Sequence, residues 1–237
     1  MMNLYFLADI HPYASPSVEN WLGTDALGRP FLFVLFKATA FTILDVAAAA
    51  STALICAFFV AALGSVFRGA TARFLFRVSA TFSYSTPLIA VLLLLYSFFG
   101  DAPLVFPLTA GILLWGAAAL TLQTAMSHEW RSAYIKAARS FGVSPLGLLF
   151  NHLLPNLMIP IRAAWIANWP VMLSASVLTA YLGAHGGSPR LGSLLNTGYE
   201  LFPSCWWLWL PPTVFTSAAF VGAFVASKVA AREVRLA

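Results

Sequence analysis

Five long apolar runs, separated by short polar segments, organise this chain at approximately Phe31–Val66, Ser79–Phe99, Leu104–Thr124, Leu157–Leu182 and Leu208–Ala230. Each can supply the roughly 20 mostly apolar residues that a helix needs to cross a bilayer. Hydrocarbon offers no partner to an open backbone N–H or C=O, so runs of this kind are expected to be helical throughout. The pattern therefore predicts an all-α polytopic membrane protein of about five transmembrane helices. As a single helix the first run would be about 54 Å long at the usual rise per residue. It is expected either to tilt strongly or to begin with an interfacial segment, and Lys37 near its start fits the second arrangement.

One polar stretch breaks the pattern in a different way. Ser127–Asn156, SHEWRSAYIKAARSFGVSPLGLLFNHLLPN, has helical rather than spanning periodicity. Tyr134, Ile135, Ala138 and Phe141 form an apolar stripe at helical spacing over Glu129–Phe141, while Arg131, Lys136 and Arg139 remain available to water. Gly142 is placed to end this first helix. Ser144 followed by Pro145 is an N-cap and first-turn pair, predicted to start a second helix toward His152. Leu153, Leu154 and Pro155 then lead into the fourth apolar run.

Composition strengthens the membrane assignment. With 60% hydrophobic and 9% charged residues, the 237-residue chain has too little polar surface to cover a water-soluble globule. The net charge of +5 does not form a nucleic-acid patch, because the basic residues lie between the apolar runs. Their distribution sets the expected orientation. Arg68, Arg73, Arg77, Arg131, Lys136, Arg139, Lys228, Arg232 and Arg235 share one side; Arg29 and Arg190 lie on the other, and Lys37 and Arg162 within spans. The positive-inside rule then places residues 127–156 and the C-terminus in the cytoplasm and the N-terminus outside, with 1–30 as an external segment and 31–237 as the transmembrane domain. The first residues have neither the basic start nor the apolar length of a signal peptide. Cys56 and Cys205 have no metal-ligand or disulfide-framework spacing and are expected to be packed or lipid-facing thiols.

Charged and polar residues inside spans are costly and mark candidate function. Lys37 and Arg162 lie near span ends, where anchoring by snorkelling is favoured. Asp45 lies deeper, followed by Ser51 and Thr52, with two roles open: facing a wet pathway or pairing with a basic group of a partner subunit. Ser83, Tyr84, Ser85 and Thr86, just before Pro87, open a helix break in span two that could turn carbonyls toward a substrate; packing hydroxyls are the simpler reading. Asn168, Ser174, Ser176 and Thr179 in span four pose the same choice. The candidate pathway set is Asp45, Ser83, Ser85, Thr86, Asn168 and Ser176.

The polar stretch also carries a more specific signal. Lys136, Ala137 and Ala138, then Gly142, then after nine further residues His152, Leu153, Leu154 and Pro155 resemble the coupling motif of ABC importer permeases. Lysine stands where that family has glutamate, and histidine where it has isoleucine. His152, with Asn156 after the proline, is similar to the dipeptide, oligopeptide and nickel branch. LGTDALGR at Leu22–Arg29 resembles a second motif of that branch, departing at Pro30 where aspartate is expected. YLGAHGGSPRLGSLLNTGYELF resembles the outer loop before the last span, with Leu191 in place of tryptophan. The likeness runs from Trp21 to Arg235. It implies a first spanning helix before LGTDALGR, so a divergent or shortened member is expected.

The resemblance implies a type I importer permease that hydrolyses nothing itself, binds no cofactor or metal, and works with other chains. Those are a second homologous permease in a heterodimer, two ATPases that bind ATP and Mg, and an external binding protein that selects the cargo. Peptides are the leading cargo; nickel or a metal–chelate complex is the alternative. Tyr134, Lys136, Ala137, Ala138, Phe141, Gly142, Leu154 and Pro155 are then the residues that meet the ATPase. The plainer reading of the same stretch is an amphipathic helix lying on the membrane. An intramembrane enzyme is disfavoured because His11, His128, His152 and His185 all lie outside the spans, and no HExxH, serine elbow or Walker A sequence occurs. A secondary transporter acting alone is disfavoured by the absence of inverted repeats.

Overall fold

In the computed structural model, residues 12–66, 70–85, 87–100, 102–144, 147–184 and 188–236 are described. Asp9, His11, Arg68, Thr86, Pro145 and His185, together with the side chains of Arg73, Tyr84, Ser85 and Arg235, lie outside the described residues. Among the described residues every regular element is a helix: α1 Phe31–Val66, α2 Ala70–Ser85, α3 Leu88–Phe99, α4 Val105–Leu113, α5 Gly116–Glu129, α6 Ala133–Ser140, α7 Met158–Ala167, α8 Trp169–Tyr181, α9 Leu191–Glu200 and α10 Trp206–Leu236. A π-helical turn, Leu148–Leu153, and one further turn, Leu154–Asn156, connect α6 to α7.

Three helical stretches are long and apolar enough to cross a membrane unaided, at Phe31–Gly64, Met158–Tyr181 and Trp206–Val234. Two bent pairs, α2 with α3 and α4 with α5, bring the crossings to as many as five when each pair is counted as one span. The upper count agrees with the predicted five; the break in span two falls where Pro87 opened one, whereas span three was expected to be continuous. Leu104–Thr124 is divided by a 53° bend at Leu114–Trp115 and continues to Glu129. The segment expected to link spans one and two is helical from Ala70 onward, so α2 starts nine residues before Ser79.

The first run is one unbroken helix of 36 residues. It has no separate interfacial piece at Lys37, because the early turns of α1 have protein to pack against. Phe31, Val34, Leu35 and Ala38 share an apolar cluster with Leu191, Leu194, Trp207 and Leu208 of α9 and α10. Farther along, Ala49, Ala50, Ala53, Ala57 and Ala61 are all fully buried, and this face of α1 runs along α4 and α5. Small residues let helix backbones approach closely where lipid supplies no hydrophobic drive for association. The approach is close at Gly111, where an added Cβ would stand 2.5 Å from the Thr52 Cβ and 2.9 Å from the Ala53 nitrogen.

The segment YLGAHGGSPRLGSLLNTGYELF is not simply a loop. From Leu191 to Glu200 it forms α9, clasped between α8 and α10 and touching α1. The LGTDALGR segment folds as a closed turn at the same end of the bundle. Asp25 Oδ1 accepts from the Leu27 and Arg29 amides, and Oδ2 accepts from Arg29 Nε at 2.8 Å. Thr24 Oγ1 accepts from the Ala14 amide. Gly23 and Gly28 adopt positive φ; Gly23 sits where a Cβ would meet the Ala14 carbonyl at 2.3 Å and Trp207 Nε1 at 2.9 Å. Thr24, Asp25 and Arg29 thus close the turn on itself, and Gly23 lets it approach Trp207 of α10.

Candidate functional site

The stretch 127–156 folds as an elbow at the end of the bundle that also carries Lys228 and Arg232. Its first helix is shorter than expected: Glu129 ends α5, the chain turns through Trp130–Ser132, and α6 begins at Ala133 because Ser132 is extended. The predicted stripe divides between two directions. Ile135 is 0% exposed, in one cluster with Leu122, Met126, Leu148, Leu153 and Leu157, and Ala138 packs against that cluster. Phe141 is 86% exposed, and Lys136, Ala137 and Gly142 are exposed beside it. Leu154 is half-buried and Pro155 exposed. Arg139 stays exposed to water but lays its guanidinium 4.7 Å from the Trp130 ring centre, within range of a cation–π contact.

Gly142 has φ +77°, the left-handed value that ends a helix most readily with glycine. Ser144 caps the following turn, its Oγ accepting from the Gly147 amide at 3.1 Å. The predicted second helix is realised as the π-helical turn Leu148–Leu153 rather than an α-helix. Tyr134 does not simply project outward. Its hydroxyl donates to Glu129 Oε2 at 2.5 Å and accepts from Asn156 Nδ2 at 2.7 Å. Burial first, and the bond to the Glu129 carboxylate second, hold this phenol's pKa above its ordinary value. It therefore keeps its proton as a donor.

Of the residues expected in a pathway, Asp45, Ser83, Asn168 and Ser176 are described, and all four are buried. Asp45 pairs with Arg190 of its own chain, Nε to Oδ2 at 2.7 Å, with side chains only 12% and 7% exposed. This places α1 and the start of α9 in one polar contact, to which Thr42 Oγ1 adds a bond from the Leu191 amide at 3.1 Å. Arg190 also lies over Phe41, 5.1 Å from its centroid. Of the two roles left open for Asp45, a pairing occurs, but with a cation of the same subunit. Arg190 was missed as a site residue because the sequence placed it in an outer loop.

Ser83 is a packing hydroxyl of a particular kind. It donates to the Leu113 carbonyl and accepts from the Gly116 amide at 3.2 Å, and the α4–α5 bend at Leu114–Trp115 lies between these two groups. An added Cβ on Gly116 would stand 2.5 Å from the Ala80 carbonyl. Ser83→Ala is expected to cost about 1–3 kcal/mol, the usual loss when buried backbone groups are stranded, measured as a lower melting temperature of the purified protein. Asn168 and Ser176 are buried, with Asn168 Nδ2 and Ser176 Oγ lacking a hydrogen-bond partner among the described residues. Arg162 is not a lone snorkelling cation; it forms an ion pair with Glu233 that ties α7 to α10. Lys37 is exposed, with its ammonium 5.7 Å from the Phe41 centroid.

A helical bundle of up to five crossings with an anchored elbow at one end is the architecture of an ABC importer permease. The fold aligns with the MetNI methionine ABC transporter in inward-facing conformations at TM-score 0.64 and 18% identity, covering 88% of this chain and 98% of that one. The chain belongs to the family of binding-protein-dependent transport system inner membrane components, whose model matches residues 53–234. It is 28% identical to the inner membrane ABC transporter permease protein YejE of Escherichia coli K12, over 89% of this chain and 61% of that protein. It is 24% identical to a putative peptide permease protein of Brucella suis biovar 1, over 84% of this chain and 67% of that protein. The chain thus spans less than two thirds of the first of these relatives.

Proposed function

We propose that this chain is a permease subunit of an ATP-driven peptide importer. It forms the translocation pathway with a second homologous permease, and its elbow receives motion from cytoplasmic ATPases. The observation that carries the reading is the division of labour in α6. Ile135 roots the elbow in the bundle core while Phe141 stands almost wholly free beside Ala137 and Gly142. An exposed aromatic flanked by small residues suits a groove on a soluble partner, and exposed aromatic anchors of this kind dominate interface energy. Phe150, in the π-helical turn that follows, is also exposed. Lys136 is a cation where the coupling motif it resembles has glutamate, so no ion pair across that interface is assigned to it.

In this reading the subunit hydrolyses nothing. ATP and Mg bind the partner ATPases, and an external binding protein presents the cargo. The elbow and the C-terminus face the cytoplasm, in keeping with the nine basic residues on that side, and the LGTDALGR turn and α9 face outward. Peptide cargo is supported by the naming of the Brucella relative as a putative peptide permease.

The test is co-purification of the complete transporter from cells expressing its own subunits. The permease is expected to recover its ATPases in stable complex, and Phe141→Asp to lower their retention at least tenfold while the permease itself remains monodisperse. Full retention in Phe141→Asp, or a wild-type permease that transports without any ATPase, would overturn the reading.

A further inference from the structure

The elbow is joined to the bundle by short connections. Three residues, 130–132, separate α6 from α5. On the other side the chain passes through Gly142, in the left-handed region with no neighbour within 4 Å of an added Cβ, and then through a π-helical turn. Ile135 fixes the position of α6, but an apolar contact has no preferred direction. Hydrogen bonds do.

Beside the bond from Ser132 Oγ to the Glu129 carbonyl, one oxygen atom supplies two of them. The Tyr134 hydroxyl, on the second residue of α6, donates to Glu129 at the end of α5 and accepts from Asn156 immediately before α7. Both capacities of the phenol are used, and three segments meet at it: the end of α5, α6 itself and the turn Leu154–Asn156 that leads into α7. We propose that the Tyr134 hydroxyl is a positioning strut, which locks the angle of α6 to α5 and α7 so that displacement of the elbow reaches both crossings instead of bending the turns. Tyr134 thereby acts inside the subunit and not chiefly as a contact on its surface, although its ring is still 38% exposed. The raised pKa of the phenol keeps the donor proton in place.

The strut rests on the reading of α6 as the ATPase-facing elbow, and the experiment separates the two. The whole transporter is reconstituted in proteoliposomes, and uptake and ATP hydrolysis are measured together. Tyr134→Phe keeps the ring but removes both hydrogen bonds. Uptake per ATP hydrolysed is expected to fall at least threefold. Asn156→Ala should lower the same ratio, and the double variant should fall no further than the worse single one. Glu129→Gln, which keeps an acceptor oxygen, should preserve the ratio, whereas Glu129→Ala should not. A merely structural role would reduce the amount of folded transporter and leave uptake per ATP unchanged. An unchanged ratio in Tyr134→Phe, or losses that multiply in the double variant, overturns the strut alone. A wild-type permease that binds no ATPase overturns the functional reading and the strut with it.

Discussion

Arg190→Met is expected to destabilise the protein by about 3–5 kcal/mol, the usual consequence of leaving one member of a buried ion pair without the other. The Asp45 carboxylate would stay 12% exposed on α1 with its cation gone, in a segment read as spanning the membrane, where water is scarce and an isolated charge is poorly solvated. Asp45→Asn should cost a comparable amount, for it strands a guanidinium whose Nη1 already lacks a partner. The double variant Asp45→Leu with Arg190→Met should recover most of the loss, since two packed apolar side chains replace two desolvated charges. Thermal unfolding in lipid nanodiscs measures all three. Single variants that melt with wild type would show that the pair contributes nothing. If the double variant is stable but fails in transport, the pair serves to fix α9 against α1 and not to hold the fold together.

Gly192→Val is expected to be as damaging by a different route. An added Cβ at this position would stand 2.0 Å from the Val177 carbonyl oxygen and 2.7 Å from the Tyr181 nitrogen. Both are backbone atoms of α8, so no side chain can swing away to make room. Helix propensity alone would favour valine over this glycine by only about a few tenths of a kcal/mol; the clash reverses the sign. Overpacking commonly costs about 1–3 kcal/mol and more where backbone must move, and here it would force α9 off α8 and draw Arg190 away from Asp45. The expected result is a loss of about 3 kcal/mol or more, read from the melting temperature. Gly222→Ala is the control: nothing lies within 4 Å of a Cβ there, and it should melt at or above wild type. A Gly192→Val protein that melts with this control would contradict the close α8–α9 contact.

How far the sequence reached can be judged residue by residue. The elbow was legible because its cues are local. Gly142 ends α6 with the positive φ that glycine alone adopts cheaply, and Ser144 caps the following turn through its own Oγ. The broken second span was also local, announced by Pro87 after a run of hydroxyl residues. The bend in the third span was not, because nothing near Trp115 demands it: its support comes from Ser83, thirty or more positions away in sequence. Helical spacing placed Tyr134 and Ile135 on one stripe, yet only the neighbours of α6 decide that one faces inward and the other turns its hydroxyl to Glu129 and Asn156.

The sequence by itself determined the solvent, the number of crossings and the position of the elbow, because apolar run length, basic-residue placement and turn chemistry act over a few residues at a time. Tertiary structure alone decided who meets whom. Asp45 finds Arg190 across 145 positions, Arg162 finds Glu233 across 71, and α9 is held where an outer loop was expected. Those outcomes depend on which helices lie side by side in three dimensions, and a one-dimensional hydrophobic pattern carries no measure of that distance.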